Sequence, residues 1–149
     1  HCSAFAPKLC RYPVGASGVS MVDEAAACPC GGDKVYAECC QRFIEGGELA
    51  TTAQQLMRSR YSAFVVADEA YLLASWHPAT RPSRVRFDPA QRWLGLTIKS
   101  TEAGIAPALE GTVEFVARFK VNGKGHRLHE CSRFENIDGR WYYRDGDHL

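Results

Sequence analysis

The chain has 149 residues, 46% hydrophobic and 23% charged, with a formal net charge of +1. That composition excludes wholesale disorder, and the balanced charge supplies no global field for gripping nucleic acid or an anionic membrane. No apolar run approaches the roughly 20 residues that span a bilayer, and seven cysteines, an odd number, cannot all pair within one chain.

Residues 1–20 show no usable period and are punctuated by Pro, Gly and Ser. They lack the charged-then-apolar design of a secretion signal, so the expected compartment is the cytoplasm. Met21 reads as a plausible start. Residues 1–22 are therefore expected to be an unstructured leader or extension, with Cys2 and Cys10 as free thiols.

Residues 28–40, CPCGGDKVYAECC, set four cysteines in the pattern C-x-C-x8-C-C. A disulfide scaffold spreads its cysteines over the fold, whereas the chain beyond this cluster holds only Cys131. Clustering of this kind points to metal ligation in a reducing compartment. Zinc takes four ligands in a tetrahedron, and the thiolates of Cys28, Cys30, Cys39 and Cys40 satisfy it. Pro29, with its fixed φ, presents the sulfurs on either side of it in one direction. Gly31-Gly32 lets the chain turn back tightly and leaves backbone N–H groups free to point at the sulfurs. Asp33 is placed to cap a short helical turn over Lys34–Cys40, and Lys34 to offset part of the negative charge. A redox pair of Cys39 and Cys40 is the rival, disfavoured by the strain of a vicinal disulfide; iron–sulfur clusters use wider spacings. Four cysteines leave no position for an activated water, so the expected Zn2+ is structural.

A polar link around Glu45–Thr52 follows. From Ala53 the pattern turns helical: Ala53, Leu56, Met57, Tyr61 and Phe64 fall on one arc at about 100° per residue, with Gln55, Arg58, Ser59 and Ser62 expected to face away. Asp68 can cap a second helix through Tyr71, Leu72, Leu73 and Trp76, stopped by Pro78. Pro78, Pro82 and Pro89 make 78–91 a loop, with a short strand expected at Val85–Phe87. Four strand-like segments close the chain. Leu94, Leu96 and Ile98 alternate in the first, and Val113, Phe115, Ala117, Phe119 and Val121 alternate in the second. Asn122-Gly123-Lys124-Gly125 and Asp138-Gly139 supply hairpin turns around Leu128–Ile137, before a last strand over Arg140–Asp145. Helices first and an antiparallel sheet afterwards predict an α+β fold, the helices covering one face of a curved sheet.

Several residues are candidates for a pocket on that sheet. Arg60 lies within the apolar arc of its helix, and Glu130 shares a strand face with Leu128 and Phe134; a bidentate pair between them is one reading, with a structural ion pair or an Arg60 that snorkels to the edge favoured over chemistry. His77 ends the second helix; a general base is one reading, and a contact with the last helix carbonyls is the favoured one. Arg81 and Arg133 are candidates for an anion, and Asp145, placed on the face of Trp141 and Tyr143, for an acid. Trp93, Trp141, Tyr142 and Tyr143 read as core and rim, because no basic stripe accompanies them.

CPCGGDKVYAECC resembles the SEC-C motif known from the SecA translocation ATPase. LMRSRYSAFVVADEAYLLASWHPATR, with RWLGL and HECSRFENIDGRWYYRDGD, is similar to the YchJ family of bacterial proteins. The resemblance runs from Cys28 to Asp147. It implies an N-terminal SEC-C zinc module, placed here at residues 23–45, and a cone-shaped α+β domain similar to nuclear transport factor two over 46–149. Carried over by position, the implied zinc ligands are Cys28, Cys30, Cys39 and Cys40. Many relatives have Gly-Ser-Gly where this chain has Gly31-Gly32-Asp33, and some carry a second cysteine motif that has no counterpart here. The resemblance implies a fold and a metal site, not an activity.

Two functions are carried forward. The favoured one is a cytoplasmic zinc-bearing adaptor whose module docks a protein partner, with no catalytic constellation evident. The alternative is a small-molecule binder or enzyme using the cone pocket through Arg60, His77, Glu130 and Asp145, to be abandoned if aromatic rings fill the cone. Nucleic-acid binding by the module is the weakest reading: within residues 28–42 only Lys34 and Arg42 are basic, too few for phosphate-driven affinity.

Overall fold

The alternation over 113–121 becomes one strand of a four-stranded antiparallel sheet in the computed structural model, which describes residues 22–149. The expectations placed on residues 1–21, including the thiols of Cys2 and Cys10 and a start at Met21, lie outside the described residues. Strands β1 (Gln91–Ala103), β2 (Glu110–Val121), β3 (Lys124–Ile137) and β4 (Arg140–His148) lie in the order of the chain. Each tight turn sits where its residues tolerate positive φ. Asn122 and Gly123 have φ of 52° and 82°, and Asp138 and Gly139 have 52° and 89°, the mirror-image turn that matches the strand twist.

Among the described residues three α-helices precede the sheet: α1 (Gln41–Ile44), α2 (Ala53–Val65) and α3 (Glu69–Ala74). Thr52 caps α2 by accepting from the Gln55 N–H at 3.0 Å, and Asp68 caps α3 by accepting from the Tyr71 N–H at 3.0 Å. The core lies between helices and sheet, built from Leu56, Met57, Tyr61 and Leu72 on one side and Val113, Phe115, Ala117, Phe134 and Trp141 on the other. The architecture is α+β, with helices on one side of a curved antiparallel sheet. No helix among the described residues is long and apolar enough to cross a membrane.

Four local expectations are corrected. Residues 85–87 form no strand; the Val85 N–H donates to the Glu69 carboxylate at 2.9 Å instead of to a ladder. The turn before Cys39 is a 3-10 turn over Tyr36–Glu38 with Val35, not Asp33, at its head and no side-chain cap. Ser59 and Ser62 do not face away: both are fully buried. Asp145 does not share a face with Tyr143, because the β3–β4 register slips between Phe134↔Tyr143 and Arg133↔Asp145. That bulge inserts Arg144 and turns Asp145 to the side of the sheet away from the helices.

Candidate metal centre

Backbone hydrogen bonds shape the cysteine segment. The Cys28 N–H donates to the Lys34 carbonyl at 3.1 Å and the Tyr36 N–H to Ala26 at 2.9 Å, so the segment folds back on itself across Ala27↔Val35. Gly31 turns the chain with φ of 84°, and its N–H goes to the Cys28 carbonyl at 3.2 Å, not to a sulfur. A Cβ on Gly32 would stand 3.4 Å from Cys30 Sγ and 3.7 Å from Cys39 Sγ, so glycine leaves the sulfurs their space. The 3-10 turn and α1 then bring in Cys39 and Cys40.

The four sulfurs lie within 4.8 Å of one another, and Cys30 Sγ and Cys39 Sγ are 3.6 Å apart. Thiolates about 2.3 Å from a tetrahedral ion lie about 3.8 Å from each other, so this set closes on a single metal ion with little movement. Cys28, Cys30 and Cys40 are buried and Cys39 is half-buried. Among the protons of this cluster, hydrogen bonds from Cys30 and Cys40 hold the Cys28 thiol far below its ordinary value. Burial, with the neighbouring Cys30 charge, pushes Cys39 up to about 12. An ion entering this set would displace thiol protons.

The cluster packs into the main core. Cys28, Cys30, Tyr36, Cys40, Phe43 and Ile44 belong to the same buried core as Leu56, Leu96 and Trp141. A Cβ on Gly31 would lie 3.2 Å from the Leu96 carbonyl of β1. From α2, Arg58 Nη1 donates to the Cys30 carbonyl at 2.8 Å and stands 3.8 Å from Cys30 Sγ, while Ser62 Oγ is 3.7 Å from Cys28 Sγ. Lys34 is exposed; among the described residues the cation at the sulfurs is Arg58. Sequence reasoning missed Arg58 and Ser62. The available signal was their i, i+4 spacing on the helix face opposite the apolar arc.

The candidate pocket residues do not converge. Arg60 is buried on the sheet side of α2, where Nη1 donates to the Leu72 carbonyl at 2.8 Å and to Ser75 Oγ at 2.6 Å. Its guanidinium lies over the rings of Trp76 and Tyr143, 4.8 Å and 4.6 Å from their centroids, and burial lowers its pKa to about 10. Among the described residues it forms no ion pair with Glu130, so the bidentate contact is absent. Glu130 instead accepts from Ser132 Oγ at 2.7 Å and from Tyr143 Oη at 3.3 Å. His77 does not meet helix carbonyls. Its Nδ1 accepts from the Ala79 N–H at 2.9 Å, and its Nε2 pairs with Glu135 at 3.2 Å. Arg81 donates twice to the Trp76 carbonyl, at 2.9 Å and 2.7 Å. Arg133 pairs with Asp145 at 2.6 Å and Asp147 at 2.7 Å on the outer side of the sheet. Five settings hold these six residues, and aromatic rings occupy the interior around Arg60.

A family model described as the YchJ middle NTF2-like domain matches residues 52–146. A UPF0225 protein from Chromobacterium violaceum is 54% identical over 125 residues, covering 81% of this chain and 92% of its own length. One from Streptomyces coelicolor is 52% identical over 122 residues, covering 82% of this chain and 95% of its own. The solution structure of a SEC-C motif containing protein from Rhodopseudomonas palustris superposes with a TM-score of 0.71 at 31% identity, covering 82% of this chain and 98% of that one. The crystal structure of a SEC-C motif containing protein from Psychrobacter arcticus gives 0.68 at 28% identity, covering 82% of each chain.

Proposed function

This chain belongs to the YchJ family, and from that premise we propose that it is a cytoplasmic protein-interaction adaptor held in shape by one structural Zn2+. The observation that carries the reading is the closed set of four sulfurs within 4.8 Å. Soft thiolates in a tetrahedron select zinc over the hard divalent cations, and a filled shell leaves no site for an activated water or a substrate oxygen. Thiols so close to one another remain free where the surroundings are reducing, which supports the cytoplasm. Over this anchored base the segment exposes Asp33, Lys34, Ala37 and Glu38 as a fixed surface that a partner can grip. The small-molecule alternative draws on the cone interior, and the rings of Trp76, Tyr143 and Phe134 that crowd together there count against it.

Two measurements test the reading. Metal analysis of the purified chain is expected to return one zinc per chain; iron and sulfide in its place would overturn the assignment. A photo-crosslinking side chain placed at Lys34 in cells is expected to give a discrete protein adduct that the same probe at Lys99, exposed on β1, does not give. Identical products from both positions would sink the adaptor role of the module.

A further inference from the structure

Helix α2 is buried on the side that its apolar arc leaves free, and the cysteine cluster is what buries it. Ser62 is 0% exposed with its hydroxyl on Cys28 Sγ, and Arg58, one turn earlier, reaches both the carbonyl and the sulfur of Cys30. Arg58 is itself aimed by Gln54, whose Oε1 accepts from Arg58 Nε at 3.1 Å. Positions 54, 58 and 62 recur every four residues, so they form one row along the helix.

The charge of a loaded site gives this row its meaning. Four thiolates around a divalent ion leave two net negative charges, in a place where Cys28, Cys30 and Cys40 are each at most 4% exposed. Buried charge of that size is strongly unfavourable unless a counter-charge or donors meet it. Among the described residues Arg58 is the cation with a contact to these sulfurs, and Ser62 offers a hydroxyl donor to a second one.

Resting on the zinc reading above, we infer that Arg58 and Ser62 are outer-sphere partners of the metal, so that the site is shared between the cysteine segment and α2 and metal occupancy is linked to the folding of the NTF2-like domain. The path of the linkage is short. Two residues from Arg58, the guanidinium of Arg60 ties α2 to the Leu72 carbonyl and Ser75 hydroxyl at the end of α3. Gly31 lies against the Leu96 carbonyl of β1. Losing the ion therefore slackens contacts to a helix and a strand of the larger domain, not only the turn that carries the cysteines.

The test uses the full chain, zinc-loaded, as wild type, Arg58→Met, Arg58→Lys and Ser62→Ala. Zinc transfer to a chromophoric chelator reports affinity, and thermal unfolding followed by tryptophan fluorescence reports Trp76, Trp93 and Trp141 in the larger domain. Arg58→Met is expected to weaken zinc about 10- to 100-fold, the range for loss of an outer-sphere partner. Arg58→Lys, which keeps the charge but not the fork, recovers part of that loss. Zinc removal is expected to lower the fluorescence-detected midpoint of wild type, and to bring wild type and Arg58→Met closer together. Unchanged zinc affinity in Arg58→Met, or a wild-type midpoint indifferent to zinc, overturns the inference while leaving zinc binding intact. A wild-type chain that takes up no zinc at all overturns the zinc reading and this inference with it.

Discussion

Replacing Arg60 with methionine removes a buried cation while keeping much of its volume, and the structure sets the scale of the effect. Two charge-assisted hydrogen bonds, 2.8 Å to the Leu72 carbonyl and 2.6 Å to Ser75 Oγ, contribute about 1.5–3 kcal/mol each. The stacking on Trp76 and Tyr143 at 4.8 Å and 4.6 Å adds about 1–2 kcal/mol per ring in desolvated surroundings. Opposing this, burial holds the guanidinium at about 10 against an ordinary 12.5. That depression disfavours the charged form by about 3 kcal/mol, and because both folded and unfolded chains are protonated below pH 10, the cost is constant at neutral pH. The attractive contributions exceed it, so Arg60→Met is expected to destabilise by about 2–7 kcal/mol. Ser75 limits the loss, since its hydroxyl still donates to the Tyr71 carbonyl at 2.8 Å. Urea unfolding of the zinc-loaded chain at pH 7 reads the difference. Arg60→Lys should fall with it, because a point charge on a flexible stem cannot fill both the stack and the fork. A methionine variant at least as stable as wild type would refute the structural role and return Arg60 to the candidates for ligand binding.

Three further outcomes follow from single observations. Tyr36 Oη is buried without a hydrogen-bond partner, so Tyr36→Phe should stabilise by about 1 kcal/mol and raise the calorimetric midpoint by about 2–5 °C; a lowered midpoint would show that the hydroxyl is satisfied. Gly31 has φ of 84° and would drive a Cβ to 3.2 Å from the Leu96 carbonyl, so Gly31→Ala should cost about 1–2 kcal/mol, and an unchanged urea midpoint would contradict the packing of this turn on β1. The hydrogen bond with His129 holds the Glu114 carboxyl below its ordinary 4.5. Its stabilising effect is therefore fully present above pH 4.5 and lost as pH falls through the lower folded value. Glu114→Gln should flatten that part of the decline in urea midpoint, and an acid limb identical to wild type would exclude the pair as its source.

The sheet was legible because its signals are local. Val113, Phe115 and Ala117 are buried and face the helices as their alternation requires, and the two turns carry residues that accept positive φ. The first strand is a correction: β1 extends over Gln91–Ala103, and a register shift between Trp93 and Gly95 leaves Leu94 exposed while Trp93 packs inward on Tyr61 and Phe119, so Leu94 does not share the buried face of Leu96. Asp145 was misplaced for the same reason. A one-residue slip exchanges the faces of everything beyond it, and nothing in the residues around Arg144 announces a bulge. The cysteine set was equally local, four cysteines within thirteen residues, whereas Arg60, His77 and Arg133 meet Leu72 and Ser75, Glu135, and Asp145, partners that periodicity does not bring together.

Helix α2 shows why the remainder could not be read from periodicity. An amphipathic reading assumes one apolar neighbour and solvent opposite. This helix has a wall on each side: the sheet against Tyr61 and Phe64, where both meet Trp93, and the cysteine segment against Arg58 and Ser62. A polar face that looks solvated in sequence is here a row of donors turned toward sulfur. The second wall is built from residues 28–40, whose four cysteines could hold an ion, and hydrophobic pattern carries no trace of it. If the ion is what completes that wall, the polar side of α2 is as much a part of the core as its apolar side, and its tolerance to substitution should depend on zinc. Ser62→Val is a sharp case. With the ion bound, the valine withdraws a hydroxyl from Cys28 and should destabilise; with zinc stripped, the same change should matter less. Urea midpoints measured with and without chelator decide it, and an equal loss in both conditions would mean that Ser62 serves packing alone.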